Sequence, residues 1–171
     1  MRSAAPLLAI ATLVAAAAVQ AQDAPNLAVA SNDGVRSFNS DEVPTFKVED
    51  DGTVDWPTFS GYRRYSAECI VCHGPDGEGS SYAPGLLESL KAKSYDDFML
   101  VVASGREVMR ADKQSKMPAL GDNRNVMCYA DDIYDYLKAR SDDALGRGRP
   151  AKRADKPTQA TEDENACLGR S

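Results

Sequence analysis

The amino-acid sequence predicts a small all-α domain flanked by irregular extensions at both ends. Between about residues 56 and 140, apolar residues recur at helical spacing in three segments, separated by loops rich in glycine and proline. On either side the chain is polar or charged and shows no apolar periodicity. The length of 171 residues leaves room for one core. We expect a domain at 56–140, an N-terminal extension at 22–55 and a charged, mostly irregular tail at 141–171.

The first 21 residues have the pattern of a signal peptide. Arg2 is followed by a run of mostly alanine, leucine, isoleucine and valine, and Val19-Gln20-Ala21 presents small residues where a signal peptidase cleaves. The alternative is a retained membrane anchor, but the run is short for a bilayer span and built mainly of alanine. We expect cleavage after Ala21, export to the periplasm and no membrane anchor in the mature protein.

One small hairpin is expected in the N-terminal extension. Residues 45–48 and 53–54 are rich in β-branched and aromatic residues, and they flank an Asp51-Gly52 turn. Residues 22–44 are polar and carry no comparable signal.

Three helices are expected inside the domain. The first begins near Pro57, which suits an early helical position, and its apolar face leads into a cysteine motif. The second is capped by Ser94 or Asp96 and closed by Gly105. The third ends near Arg140, and its apolar residues recur on one face: Val126, Ala130, Ile133 and Leu137.

Cys69-Ile70-Val71-Cys72-His73 is the strongest functional signal in the chain. This pattern attaches a haem covalently through two thioethers and supplies an imidazole to its iron. It predicts one haem c, held by Cys69 and Cys72, with His73 as an axial iron ligand. A thioredoxin-like redox pair and half of a zinc site are the alternatives. They are less favoured because the flanks offer no βαβ setting and the other cysteines are distant.

The second axial ligand is predicted to be a methionine, because His73 is the single histidine of the chain. Met99 and Met127 fall within predicted helices, where core packing is the ordinary role. Met117 is favoured, since Pro118 biases it to extended geometry in a loop before the last helix. Met109, in the same loop, is the alternative. A His and Met pair fills the coordination sphere and suits electron transfer.

Spaced residues across the domain resemble a class I cytochrome c. They are Gly61-x-x-x-Tyr65-x-x-x-Cys69-x-x-Cys72-His73-Gly74, then Pro84, Met117-Pro118 and Ile133-x-x-Tyr136-Leu137. The resemblance implies that Gly61 lets the first and last helices cross closely and that Tyr65 packs near Tyr136. It also implies that Tyr65 and Pro84 belong to the haem site, with the Pro84 carbonyl accepting the ring N–H of His73.

A narrower resemblance concerns the electron donor. Residues 54–65, 73–84 and 125–134 are similar to the four-cysteine periplasmic cytochromes c associated with methanol or ethanol oxidation by quinoprotein (PQQ) alcohol dehydrogenases. The resemblance implies that such a dehydrogenase donates electrons and that a terminal oxidase or another cytochrome accepts them.

Cys128 and Cys167 remain after the haem motif has used two of the four cysteines. An even count in an oxidising compartment favours a disulfide that tethers the tail to the last helix. Two free thiols and an intermolecular bridge are the alternatives.

Charge and composition narrow the function classes. The chain has a formal net charge of −6 at pH 7, which makes nucleic acid an unlikely ligand and permits steering toward a basic partner. We expect an electron carrier and not an enzyme. A tightly bound electron-transfer subunit of a larger complex is one alternative. The other is a haem enzyme or gas sensor, which would need a displaceable sixth ligand.

Overall fold

The computed structural model describes residues 28–109 and 114–170. Its helices are α1 (Trp56–Glu68), α2 (Ile70–His73), α3 (Leu87–Ala92), α4 (Tyr95–Ser104), α5 (Arg124–Met127), α6 (Ala130–Ser141) and α7 (Thr158–Leu168). The helical class predicted from the sequence is confirmed. The signal-peptide prediction for residues 1–21 lies outside the described residues. None of the helices within 28–109 and 114–170 has the length and hydropathy that crossing a bilayer requires.

Short strands accompany the helices. β1 (Ser31–Asn32), β2 (Ser37–Phe38) and β3 (Pro44–Thr45) form an antiparallel sheet, while β4 (Thr53–Val54) pairs in parallel with β7 (Lys152–Arg153). The hairpin expected around Asp51-Gly52 is confirmed, because Val48 and Val54 form an antiparallel bridge across that turn.

The core lies where α1 crosses α6. Gly61 permits a very close approach, since a Cβ atom built on it would lie 1.7 Å from the backbone oxygen of Asp132. One turn farther along each helix, the rings of Tyr65 and Tyr136 pack with their centroids 5.5 Å apart. Both tyrosines are fully buried. The two packing relationships implied by the resemblance are therefore present.

The predicted middle and last helices are both present, and the structure adds two details: the capping residue of the first and a break in the second. Ser94, rather than Asp96, caps α4: its hydroxyl accepts from the Asp97 amide, and its own amide donates to the Asp97 carboxylate in a capping box. The predicted last helix is divided into α5 and α6 at Cys128 and Tyr129. Tyr129 adopts a non-helical backbone conformation at the start of α6, so the apolar face continues across a kink.

The segment between α4 and α5 differs from the predicted loop. Arg106–Met109 (β5) and Gln114–Met117 (β6) pair as an antiparallel hairpin, with Arg106 opposite Met117. Sequence patterns did not indicate these strands because polar and charged residues interrupt the apolar alternation here. The hairpin carries both methionines considered as iron ligands.

The prediction of a mostly irregular tail is wrong for residues 158–168, which form α7. The helix has a weak apolar face of its own, and long-range contacts hold it. Ala160 is buried in a small cluster with Trp56, and Cys167 forms a disulfide with Cys128 of the domain. Because these contacts lie far apart in sequence, local periodicity did not indicate them.

The N-terminal extension docks on α6 through one arginine. The Arg36 guanidinium contacts the carboxylates of Asp131, Asp132 and Asp135, three acidic residues on the first turns of α6. Burial raises the pKa of Asp135 well above its usual value, although Arg36 opposes that shift.

Candidate functional site

The cysteine motif follows directly from α1. The Cys69 amide donates to the Tyr65 carbonyl (2.9 Å), and the His73 amide donates to the Cys69 carbonyl (2.9 Å), so helical bonding continues through the motif. Cys69 and Cys72 are three residues apart on one turn and both carry free thiols. Cys69 is half-buried, and burial raises the pKa of its thiol to about 12.

The His73 ring is oriented by a backbone carbonyl. Its Nδ1 lies 3.0 Å from the Pro84 oxygen. Because a carbonyl only accepts hydrogen bonds, Nδ1 must carry the proton, which leaves the Nε2 lone pair of a neutral imidazole free to bind a metal. This is the hydrogen bond that the family resemblance implies.

Residues 74–86 form a loop that returns to the motif. The Gly79 amide donates to the His73 carbonyl (2.8 Å), and the Leu86 amide donates to the Gly77 carbonyl (2.7 Å). The backbones of Gly79 and Gly85 touch, since a Cβ on Gly79 would lie 2.6 Å from the Gly85 nitrogen. These contacts fix the position of the Pro84 carbonyl relative to His73.

Tyr65 holds the end of the motif. Its hydroxyl donates to the Gly74 carbonyl (2.5 Å), directly after His73. Burial raises the pKa of Tyr65 to about 12, so the hydroxyl keeps its proton at neutral pH. Tyr65 therefore links the α1–α6 core to the residues that follow the histidine.

The hairpin distinguishes the two candidate methionines. Met117 is half-buried and packs against the same core cluster as Cys69. Met109 is 74% exposed near the hairpin's other end. The structure thus places the Met117 side chain in the apolar cluster that adjoins the motif, whereas Met109 faces solvent.

The donor set and its surroundings fit a covalently attached haem. Two free thiols, an imidazole with a free Nε2 and a thioether are the groups that c-type haem and its iron use. Several apolar side chains beside the core are left only partly covered, as expected of residues that pack on a large apolar group: Cys69, Ile70, Leu86, Met99, Met117 and Leu120.

Two residues of this region were missed by sequence reasoning. Asp76 is buried in the loop after the motif, and the Gly148 amide of the C-terminal extension donates to its carboxylate (2.8 Å). Ser80 is the second, and its hydroxyl donates to the Cys72 carbonyl. The polar turn after His73 was recognised as a loop, but nothing local indicates which of its side chains face inward.

Comparison with known proteins identifies two cytochromes c that are similar to this chain. The chain is 53% identical over 133 residues to cytochrome c-553I of Paracoccus denitrificans, an alignment that covers 78% of this chain. It spans 59% of the length of that relative. Cytochrome c-555 of Methylococcus capsulatus is 40% identical over 100 residues, which cover 58% of this chain and 75% of that protein.

A solved structure agrees with the sequence comparison. The c-type cytochrome XoxG from Methylobacterium extorquens superposes with a TM-score of 0.77 and 50% identity, covering 84% of this chain and 87% of that one. No protein-family profile matches the chain. Together, the helical fold, the cysteine motif and these relatives show that the chain belongs to the class I cytochromes c and carries covalently bound haem c.

Proposed function

We propose that this cytochrome accepts single electrons from a quinoprotein alcohol dehydrogenase and passes them toward a terminal oxidase or another cytochrome in the periplasm. The observation that carries the electron-transfer role is that Cys69 of the motif and Met117 pack against the same core cluster, while the hydrogen bond of His73 to Pro84 leaves its Nε2 free. The donor class rests on the resemblance to cytochromes associated with methanol or ethanol oxidation.

Each residue of the site has a distinct task in this proposal. Cys69 and Cys72 would form the thioethers, and His73 would bind the iron through Nε2, which its hydrogen bond to Pro84 leaves free. Met117, on β6, would supply the second iron ligand. When bound, the haem supplies a one-electron iron couple, and sulfur ligation favours the ferrous state. Because His73 and Met117 would together complete the coordination of the iron, such a site would favour electron transfer over small-molecule chemistry.

Two exposed apolar side chains mark the face on which the donor would dock. Val71, between the two cysteines, is 77% exposed, and Tyr82 is 76% exposed. Tyr82 is tied to the motif, since its amide donates to the Ser80 hydroxyl (3.0 Å), which in turn donates to the Cys72 carbonyl. We place the docking face here because Val71 lies within the cysteine motif and Tyr82 is linked to it through Ser80.

Charge and disulfide chemistry support the proposed setting. The net charge of −6 favours long-range attraction to a basic docking surface, and salt would weaken that attraction. The disulfide between Cys128 and Cys167 suits an oxidising compartment such as the periplasm. The C-terminal extension contacts its own domain at Lys152–Arg153, Ala160 and Cys167, which supports a separate carrier over a subunit attached through a free tail.

Stopped-flow spectroscopy tests the donor assignment. Oxidised cytochrome is mixed with a quinoprotein alcohol dehydrogenase and methanol or ethanol, and haem reduction is followed at increasing salt. We expect fast reduction that slows as salt screens the charges. Failure of a dehydrogenase that reduces an artificial acceptor under the same conditions would remove the donor assignment and leave the electron-carrier role intact.

Matched substitutions test the docking face. Val71→Glu places a charge beside the motif, whereas Val29→Glu places the same charge at an exposed valine of the N-terminal extension. We expect the first variant to lower the bimolecular rate constant and the second to leave it near the parental value. Equal rates in the two variants, at equal haem content, would exclude this face as the docking site.

A further inference from the structure

We infer that residues 141–153 of the C-terminal extension act as a strap on the loop of residues 74–86, which directly follows His73. Asp76 is the positioning residue through which the strap acts on this loop. This inference rests on the proposed role of His73 as iron ligand. It assigns to the extension an influence on the redox equilibrium of the haem, beyond the transfer reaction itself.

The Asp76 carboxylate is hydrogen-bonded to residues outside its own loop. It is buried, at 8% exposure, and its backbone has a φ of 59°, a conformation rare for a residue with a side chain. Its carboxylate accepts from the Gly148 amide (2.8 Å), from Arg147 Nε (3.4 Å) and from the Tyr136 hydroxyl (3.4 Å). Two of these three donors belong to the extension.

The same part of the extension holds Glu78. Arg147 places a second nitrogen 3.2 Å from the Glu78 carboxylate, and Arg140 at the end of α6 lies 3.7 Å from it. Arg140 also donates to the Leu145 carbonyl (2.5 Å), which fixes the start of the strap against the helix. The loop residues 76–78 are therefore held on their outer side by 140–148.

On its inner side, the held segment carries Pro84. Gly77 accepts the Leu86 amide, and a Cβ on Gly85 would lie 2.8 Å from the Glu78 oxygen, so residues 77–79 and 84–86 are in backbone contact. A shift at Asp76 would therefore move the Pro84 carbonyl. Because that carbonyl orients and polarises the His73 ring, the shift would change how strongly His73 donates to the iron.

The strap has fixed points beyond the loop. Lys152–Arg153 pairs with Thr53–Val54, and the Arg153 guanidinium lies 5.2 Å from the ring centroid of Trp56. Farther on, Cys167 is bonded to Cys128. Because it is held on both sides of residues 147–148, the strap can exert a lasting constraint on Asp76.

The decisive comparison is Asp76→Ala against Asp76→Asn, measured by spectroelectrochemical titration. Both variants remove a negative charge near the haem, but asparagine keeps an oxygen for the Gly148 amide. Loss of positioning weakens the His73–Pro84 bond and makes the imidazole a poorer donor to ferric iron. We therefore expect the reduction potential to rise in both variants, and further in Asp76→Ala than in Asp76→Asn.

Amide exchange supplies a readout that does not depend on the iron couple. The amides of Gly79 and Leu86 report the loop contacts directly, and we expect them to exchange faster in Asp76→Ala than in Asp76→Asn. Equal potentials in the two variants, with parental exchange at both amides, would overturn the inference. A potential and an exchange rate need no dehydrogenase, so this result is independent of the donor assignment.

Arg147→Ala keeps the inference testable if Asp76→Ala does not fold. Arg147 is an exposed arginine of the strap that contacts the loop, whereas the exposed Arg149 contacts the Phe59 ring instead. We expect faster exchange at Gly79 and Leu86 in Arg147→Ala, and parental exchange in Arg149→Ala. Identical exchange in these two variants would contradict the strap.

Discussion

Gly61 of α1 lies against the backbone of Asp132 in α6 so closely that no side chain fits between them. This contact brings the two main helices of the domain together and places Tyr65 beside Tyr136. Tyr65 then reaches the Gly74 carbonyl, which directly follows the proposed iron ligand His73. The helix crossing and the cofactor site are consequently parts of one packed unit.

Gly61→Ala should destabilise the protein by about 1–3 kcal/mol through overpacking. Glycine to alanine inside a helix ordinarily gains up to about 1 kcal/mol, so the sign of the effect is diagnostic. Denaturant unfolding of the haem-loaded protein measures it, with Arg63→Ala on the exposed side of α1 as a control expected to change stability by less than about 0.5 kcal/mol. A stabilised Gly61→Ala variant would contradict the close crossing.

Met117→Ala should open the sixth coordination position of the iron. We expect a lower reduction potential, because thioether ligation favours ferrous iron, and we expect carbon monoxide to bind the reduced protein. Redox titration and a carbon monoxide difference spectrum measure the two effects. Met109→Ala is the matched control and should keep the parental spectrum and potential, since Met109 faces solvent. The opposite pattern would transfer the ligand role to Met109.

Replacing both Cys128 and Cys167 by serine should lower the free energy of unfolding. The disulfide closes a loop between residues 39 positions apart, for which the chain-entropy model gives about 4 kcal/mol as an upper figure. Denaturant unfolding of the double variant measures the loss, with Ala166→Ser as a control for the polar substitution on α7. In the unmodified protein, thiol titration under denaturing, non-reducing conditions should find no reactive thiol at these positions.

Stability should fall as the pH rises from about 4 to about 6, in part because of Asp132. Burial raises the pKa of Asp132 to about 6, while its pairing with Arg36 opposes that shift. A carboxyl whose pKa is higher in the folded than in the unfolded state binds more protons when folded, so the folded state is favoured at low pH and loses this advantage as Asp132 ionises.

The pH dependence of Asp132→Asn isolates that contribution. The variant should show a flatter stability profile between pH 4 and 6 than the parent, a change of about 1–3 kcal/mol across the window. Asp131→Asn is the control, because Asp131 is more exposed and also contacts Arg36. Parallel profiles for Asp132→Asn and the parent would show that Asp132 is ionised throughout this range.

The covalent and capping chemistry could be predicted from sequence because it is local. The spacing of Cys69, Cys72 and His73 requires only one helical turn, and Ser94 can reach the amide of Asp97 within its own first turn. The family resemblance supplied the Gly61 crossing and the Pro84 hydrogen bond, whose partners lie on different elements. Short-range patterns alone do not reveal such contacts.

The remaining features depend on long-range contacts that leave little trace in the sequence. Arg36 is one of many charged residues, and its burial against α6 follows from tertiary packing. The α7 helix depends on Cys167 and on the burial of Ala160 against the domain. Asp76 resembles an ordinary turn aspartate until Gly148 is found beside it.

The parallel pairing of β4 with β7 has a consequence for the order of assembly. Thr53 pairs with Lys152, so the whole haem domain lies between these two strands in the sequence. Contacts this distant carry a large loop-closure cost and form after local structure has shortened the effective distance. During synthesis from the N-terminus, β7 emerges after every helix of the domain. We therefore expect the docking of residues 147–153 to be a late step of folding, after the helix that leads into the cysteine motif has formed.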